Sequence, residues 1–134
     1  MSRRRFMGQA AAVAAFTIVP RHVLGGSGNV PPSEKLNIAC IGVGGMGGSD
    51  VGSVSSENIV AMCDVDFRHA AGTFKKYPRA EKYYDFRRML DAEDKNIDAV
   101  TVSTPDNIHA VAAMAAIKRD KHVYCQKPLC HDVL

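Results

Sequence analysis

The 134-residue sequence has no C-x-x-C pair, no excess of charge in its folded part and no apolar run long enough to span a bilayer stably. Its four cysteines therefore lack the spacing of a zinc or redox site, and we predict no metal site. The net charge is +3, but three arginines lie within the first five residues. The remainder is near neutral, which argues against a nucleic-acid partner. The composition, 46% hydrophobic and 23% charged, is that of one ordinary globular domain.

Residues 1–20 have the pattern of an export signal. The basic stretch 2–7 (Ser-Arg-Arg-Arg-Phe-Met) precedes an apolar run over 10–19 that is too short for a stable membrane span. The pattern resembles the twin-arginine signal S-R-R-x-F-L-K, although Met7 replaces Leu and Gly8 replaces Lys. It predicts a periplasmic protein that meets the membrane only through this segment. The alternative is a basic, frayed terminus, and whether the segment is cleaved stays open.

Residues 21–34 are predicted to be a linker, because they contain Gly-Gly-Ser-Gly at 25–28 and Pro-Pro at 31–32. The folded domain should then occupy residues 35–134. Three of the cysteines lie in or at the end of its apolar runs, so we expect small buried thiols rather than disulfides; these are Cys40, Cys63 and Cys125.

A glycine-rich loop follows the first apolar run, which is Leu36 to Ile41. Residues 42–47 read Gly-Val-Gly-Gly-Met-Gly, or G-x-G-x-x-G, and should open a helix from about Gly45 to Ser55. In such a loop the first glycine permits a tight turn, the second allows a pyrophosphate to approach the backbone, and the third lets the helix pack closely. The predicted cofactor contacts in this loop are Gly42, Gly44, Gly45, Met46 and Gly47.

An acidic residue stands where the dinucleotide fingerprint requires one. The second apolar run, Ile59 to Cys63, ends in Asp64, 22 residues after Gly42. A carboxylate there accepts the ribose hydroxyls and repels a 2′-phosphate, so NAD is favoured over NADP. Asp66 is a competing candidate, which we expect instead to cap a helix beginning at Phe67. The alternative is a structural glycine turn with an acid there by chance.

The rest of the chain alternates predicted strands and helices, which indicates an α/β fold with a Rossmann-type doubly wound parallel sheet. The further predicted elements are, in chain order, a helix over Phe67–Lys76, a strand over Ala80–Tyr84, a helix over Phe86–Ala92, a strand over Ile97–Ser103, a helix over Asn107–Lys118 and a strand over His122–Cys125. Asn107 is expected to cap the last of these helices, which should pack on the sheet through Ile108, Val111, Ala112 and Ala115.

Four ordered motifs resemble the Gfo/Idh/MocA family (glucose–fructose oxidoreductase, inositol dehydrogenase and MocA) over residues 35–134. They are Ile-Gly-Val-Gly-Gly-Met-Gly at 41–47, Cys-Asp-Val-Asp at 63–66, Ser-Thr-Pro-Asp-Asn-Ile-His at 103–109 and Cys-Gln-Lys-Pro-Leu at 125–129. The start of the chain is also similar to exported members.

The resemblance implies roles for residues beyond the glycine loop. Lys127 matches the catalytic lysine of the family's E-K-P motif, where an ammonium can donate to a sugar hydroxyl; the alternative is a solvated lysine. Gln126 replaces the usual Glu, which puts the surroundings of Lys127 in question. The residues that match the turn beside the nicotinamide are Ser103, Thr104, Pro105 and His109. His109 could instead lie on the helix surface.

The chain carries five predicted strands of about six in a doubly wound domain, so we expect an N-terminal piece that is incomplete at the C-terminus. Alone it should be inactive, and either unstable or able to bind dinucleotide only weakly. The resemblance implies a following substrate domain that carries the acid–base residues. The leading hypothesis is an NAD-dependent oxidoreductase of a sugar or polyol, exported with its cofactor bound and homo-oligomeric at full length. The alternatives are a glycosidase that uses bound NAD transiently and a non-catalytic dinucleotide-binding module.

Overall fold

Five parallel strands with alternate residues directed to two apolar layers form the centre of the protein. The structure is a computed structural model that describes residues 30–132. The predicted export signal, and most of the predicted linker, lie outside the described residues. No helix in the described range is long and apolar enough to cross a membrane. Residues from Lys35 onward form one compact unit, preceded in the described residues by a short 3-10 turn at Pro32–Glu34.

The sheet has the strand order β3-β2-β1-β4-β5, and every paired strand is parallel to its neighbour. The chain therefore runs outward from β1 to β3 and returns beside β1 as β4. This confirms the predicted doubly wound α/β class. The strands are β1 (Asn37–Ile41), β2 (Asn58–Cys63), β3 (Glu81–Tyr83), β4 (Ala99–Val102) and β5 (His122–Cys125).

In the described residues four α-helices cover the two faces of the sheet, and a 3-10 turn at Asp94–Asn96 connects the third of them to β4. The helices are α1 (Met46–Ser53), α2 (Ala71–Lys76), α3 (Phe86–Ala92) and α4 (Asp106–Ile117). Because strand side chains alternate between faces, Ile38 and Cys40 of β1 join the layer with Val51 and Phe74. Ala39 and Ile41 join the layer with Leu90 and Ala112.

The predicted helix at Phe67 begins later than expected. Residues 67–70 form hydrogen-bonded turns, and α2 starts at Ala71. Asp66 does cap backbone groups, because its Oδ1 accepts from Arg68 N at 2.9 Å and His69 N at 3.1 Å. The cap therefore serves the turns that lead into the helix rather than the helix itself.

Two expectations for α4 are also wrong. The helix begins at Asp106 and Pro105 holds the cap position, so Asn107 lies inside the first turn and does not cap it. Val111 is exposed rather than packed, whereas Ala112 is buried as expected. An alanine-rich helix carries little periodicity, so its buried face was poorly defined by the sequence. The buried residues of α4 are His109, Ala112, Ala113 and Ala116.

Cys40 and Cys63 are buried free thiols, as predicted, but Cys125 is only half-buried. The difference follows from topology: β1 and β2 are interior strands, whereas β5 is an edge strand with a single neighbour. None of the cysteines in the described residues forms a disulfide.

Candidate cofactor-binding site

A cleft of about 510 Å³ lies at the carboxyl ends of β1, β2 and β4. This is the position at which the strand order reverses, the usual ligand site of doubly wound sheets. Six of the predicted site residues line it: Gly42, Gly44, Asp64, Ser103, Thr104 and Pro105. The other lining residues are Ile41, Cys63, Val65, Asp66, His69, Tyr84, Phe86, Asn107 and Ile108.

The glycine loop is held in a conformation that side chains would obstruct. Gly42 has φ +78° and Gly45 has φ +53°, both in the left-handed region that favours glycine. A Cβ at Gly42 would lie 2.8 Å from the backbone of Ser103, and one at Gly47 would lie 1.9 Å from the carbonyl oxygen of Gly42. The loop therefore packs tightly against itself and against the end of β4.

The loop leaves amide groups at the start of α1 for a ligand. The first N–H groups of a helix have no partner within it. In the described residues, Gly47 N donates to Gly44 O at 3.0 Å and Gly48 N donates to Gly45 O at 3.2 Å. The amides of Gly45 and Met46 remain at the helix N-terminus, where the backbone dipole favours a phosphate.

Asp64 spans the gap between the end of β2 and the glycine loop. Its Oδ2 accepts from Val43 N and Gly44 N, both at 2.9 Å, and its Oδ1 accepts from Asp66 N at 2.9 Å. A carboxylate offers about four acceptor positions, so roughly one position on Oδ1 stays available. That position, together with the negative charge, suits a ribose hydroxyl and opposes a 2′-phosphate.

Aromatic residues outside the sequence motifs also reach the cleft. The His69 ring covers the loop so closely that a Cβ at Gly44 would lie 2.3 Å from its Cδ2. Tyr84 stacks on Phe67, with ring centroids 3.8 Å apart and an angle of 9° between the rings, and it lines the cleft. No sequence motif marks His69, because residues 67–70 were predicted as helix whereas they form turns that place the ring beside the glycine loop.

Ser103 is linked to two neighbouring segments through Asp50 on α1. Its Oγ donates to Asp50 Oδ2 at 2.6 Å, and Gln126 Nε2 donates to Asp50 Oδ1 and Oδ2, both at 3.0 Å. Asp50 therefore joins the cofactor-loop helix, the end of β4 and the end of β5. No sequence motif marks Asp50, so its role could not be predicted.

His109 is buried, so the alternative of a surface histidine is wrong. Its Nδ1 lies 2.6 Å from Pro128 O and its Nε2 lies 2.7 Å from Thr104 O. Both nitrogens thus face backbone carbonyls, and the ring does not line the cleft. In this geometry His109 fastens the turn after β4 to the segment after β5 rather than presenting a free nitrogen to a ligand.

Lys127 lies just beyond β5, one strand farther along the same sheet edge. Gln126 N donates to Val102 O at 2.9 Å, which extends the parallel pairing up to the residue before the lysine. Lys127 is exposed and precedes a cis peptide bond to Pro128. Within residues 30–132 its ammonium has no protein partner, and it is not among the residues that line the cleft.

Cys63 is the one thiol that lines the cleft among the described residues, and its surroundings disfavour the thiolate form. Burial, then the nearby carboxylates of Asp64 and Asp85, raise its pKa to about 12. A thiol with so high a pKa stays neutral near pH 7. No group of three or more histidine, cysteine or acidic residues in the described range could hold a metal ion.

These features fit a dinucleotide: amides at a helix start for the pyrophosphate, an acceptor at Asp64 for the ribose, and an aromatic wall. Comparison with known proteins agrees. Residues 36–133 match the family described as "Oxidoreductase family, NAD-binding Rossmann fold". The inositol 2-dehydrogenase of Rubrobacter xylanophilus is 32% identical over 101 residues, which is 72% of this chain and 28% of that protein.

Two solved structures share the fold. The myo-inositol dehydrogenase of Lactobacillus casei, solved with NAD(H) and myo-inositol, is 27% identical with a TM-score of 0.65, over 72% of this chain and 29% of its own. The myo-inositol 2-dehydrogenase of Lactobacillus plantarum is 26% identical with a TM-score of 0.67, over 74% and 30%. The chain thus spans under a third of these relatives' length. It belongs to the Gfo/Idh/MocA-type oxidoreductase family, and residues 36–133 are its NAD-binding Rossmann domain.

Proposed function

We propose that this chain is the cofactor-binding part of an NAD-dependent oxidoreductase that transfers hydride between nicotinamide and a carbon of a sugar or polyol. The observation that carries the proposal is Asp64, whose carboxylate is fixed on the loop amides of Val43 and Gly44 and keeps an acceptor position towards the cleft. The polyol class is suggested by the inositol dehydrogenases to which the chain is similar.

Different residues along this edge of the sheet would bind different parts of the cofactor and of the substrate. The glycine loop and the start of α1 hold the pyrophosphate, and Asp64 selects the ribose that lacks a 2′-phosphate, which favours NAD over NADP. Bound NAD supplies the hydride acceptor. Lys127, an exposed ammonium beyond β5, would donate a hydrogen bond to the substrate hydroxyl oxygen. It would stabilise the negative charge that builds up there as the proton leaves to a general base and the carbon bearing the oxygen gives its hydride to NAD.

Calorimetric titration of the chain with NAD and with NADP tests the cofactor part. We expect NAD to bind at least tenfold more tightly, and equal affinities would contradict the proposal.

The oxidoreductase activity is tested on the full-length protein, by measuring NADH formation with inositols and sugars as substrates. Lys127→Met should lower kcat by about 100-fold or more while NAD affinity stays within twofold. Sugar released from an aryl glycoside without net NADH would indicate a glycosidase instead, and neither activity would indicate a binding module.

We also propose that residues 1–20 direct export through the twin-arginine route and that the full-length protein is a homo-oligomer carrying its cofactor from the cytoplasm. Support comes from the paired arginines and the apolar run. Replacing Arg3 and Arg4 by lysine should keep the protein in the cytoplasm. Nucleotide should appear in the supernatant when periplasmic protein is denatured, and its absence would contradict bound export. Light scattering measures the oligomeric state.

A further inference from the structure

We infer that Asp50 is a positioning residue that requires a neutral amide at position 126 and thereby sets the path of the chain into Lys127. Asp50 accepts Gln126 Nε2 at 3.0 Å on both carboxylate oxygens and Ser103 Oγ at 2.6 Å on one of them. The three residues come from α1, from the end of β4 and from the end of β5. All three are half-buried.

The chemistry of this contact is directional. A carboxylate can only accept, and both of its partners here have hydrogens to donate, a hydroxyl and an amide group. A glutamate at position 126 would place a second carboxylate about where the amide nitrogen lies, 3.0 Å from the Asp50 oxygens. Two carboxylates at that distance cannot both ionise, so one must keep a proton or the two must separate.

The same repulsion would oppose, at position 126 of this chain, the glutamate that the E-K-P resemblance leads one to expect. With an aspartate on α1 facing the motif, the amide of glutamine is the side chain that completes the network at the same length. The Cys40 thiol also lies within the electrostatic influence of Asp50: its pKa is raised to about 11, first by burial and then by this carboxylate, against a hydrogen bond to Thr101 that lowers it.

The consequence concerns the neighbour of Gln126. Its backbone N–H is held by Val102 O at 2.9 Å and its side chain is held by Asp50, so Gln126 is fixed at both ends directly before Lys127. Lys127 itself has no partner among the described residues. Its placement therefore depends on its two neighbours. Pro128 is held through its carbonyl oxygen by His109, and Gln126 is held by a helix 76 positions earlier in the chain.

A double-mutant cycle at positions 50 and 126, made in the full chain, tests the inference without an assay of enzyme activity. The variants are Gln126→Glu, Asp50→Asn, the double variant, and Gln126→Met, which removes the donor at similar length without adding charge. Thermal unfolding is followed at pH 5 and pH 8. We expect Gln126→Glu to lower the midpoint by about 5 °C or more at pH 8, with a smaller loss at pH 5. The double variant should recover at least half of the loss, because the asparagine amide introduced at position 50 can donate to the carboxylate introduced at position 126. Gln126→Met should show a loss that does not change with pH.

A pH-independent loss in Gln126→Glu that Asp50→Asn does not restore would overturn the inference. If Gln126→Glu does not fold at pH 8, its folding at pH 5 or in the Asp50→Asn background decides in the same way. The backbone amide signal of Lys127 in a ¹H–¹⁵N spectrum reports positioning. It should shift in Gln126→Glu and return towards the wild-type position in the double variant, and an unmoved signal would refute the positioning role.

The effect on catalysis rests on the proposed function. In the full-length protein Gln126→Glu should lower kcat at least tenfold, leave the KM for NAD within twofold, and regain rate in the double variant. An inactive wild-type protein would count against the proposed function, whereas the unfolding cycle and the Lys127 signal would still decide the role of Asp50.

Discussion

Gly44 N, in the loop after β1, donates a 2.9 Å hydrogen bond to Oδ2 of Asp64, which directly follows β2. The carboxylate that is expected to recognise a ribose is therefore already committed to shaping the phosphate loop. Loop geometry and ribose recognition depend on the same side chain, so changes at this position should alter both.

Asp64→Asn tests this dual use. The amide oxygen can still accept from the loop, but the charge and one acceptor oxygen are lost. We expect NAD affinity to fall about tenfold, since a hydrogen bond to a charged group contributes roughly 1.5–3 kcal/mol. The preference over NADP should shrink as well. Calorimetry with both nucleotides measures it. Asp66→Asn removes the same charge and keeps a capping oxygen, so it is the matched control. Equal effects from the two variants would contradict a specific role for Asp64.

Two glycines of the same helix should respond to alanine in opposite directions. A Cβ at Gly47 meets the Gly42 carbonyl oxygen at 1.9 Å, and backbone cannot easily yield, whereas a Cβ at Gly52 meets nothing within 4 Å. Gly47→Ala should lower the free energy of unfolding by about 3 kcal/mol. Gly52→Ala should raise it by about 0.4–1 kcal/mol, because it restricts the unfolded chain. Urea unfolding provides both values, and two equal values would refute the close packing.

His109→Ala should weaken the junction between the segments after β4 and β5. A neutral imidazole donates through one nitrogen only, so the change removes one hydrogen bond, to the carbonyl oxygen of either Thr104 or Pro128, at about 1–3 kcal/mol, and it also removes the packing of a buried ring. We expect a loss of about 2–4 kcal/mol in urea unfolding and faster amide exchange at Thr104 and Lys127. His131→Ala is the control, because that exposed ring contacts only exposed Asp132 among the described residues. A loss no larger than the control's would show that the bridge contributes nothing.

The buried thiols should make the protein sensitive to alkali. Burial raises the pKa of Cys40 from 9.0 to about 11 and that of Cys63 to about 12. Above pH 9 the unfolded chain releases these protons while the native protein retains them, so stability falls as pH rises. The fall should continue to about pH 11 to 12, at up to about 1.4 kcal/mol per pH unit for each thiol.

Urea unfolding between pH 8 and pH 11 measures this slope. The double variant Cys40→Ala/Cys63→Ala should have a shallower slope. It should not be flat, because the hydrogen bond to Glu93 raises the pKa of Tyr83 to about 12 and acts with the same sign. An unchanged slope in the double variant would show that the thiols are not responsible.

Local patterns in the sequence were enough to predict the strands and the glycine loop. Each interior strand is a short β-branched or apolar run, and the loop needs residues at fixed spacing, so Gly42, Gly47 and Asp64 could be placed by counting. Helix starts were less predictable. Asp66 caps turns before α2, and Asn107 lies inside α4, because a polar side chain favours a cap without specifying which turn it serves.

The contacts between distant segments could not be predicted. Asp50 and Gln126 are 76 residues apart, and neither carries a signal for the other. His109 could be assigned to the turn after β4, but its burial between two carbonyls depends on how the segment after β5 returns. His69 reaches the glycine loop through turns that the sequence pattern predicted as helix. The sequence therefore indicated which strand ends meet, and the structure shows which side chains fill the space between them.

The glycines of the loop after β1 pack against other parts of the same chain. Side chains at Gly42, Gly44 and Gly47 would meet, respectively, the backbone of β4's end, the His69 ring and the loop's own carbonyl, all of them parts of this chain. At Gly42 and Gly47 the obstacle is backbone, so the protein would need glycine at these two positions even if no nucleotide ever entered the cleft, whereas at Gly44 the obstacle is a side chain that can move. Substituting these glycines would change the stability of the fold as well as any affinity for nucleotide. The residue that distinguishes a nucleotide-binding loop from a structural tight turn is therefore Asp64, whose Oδ1 keeps one free acceptor position.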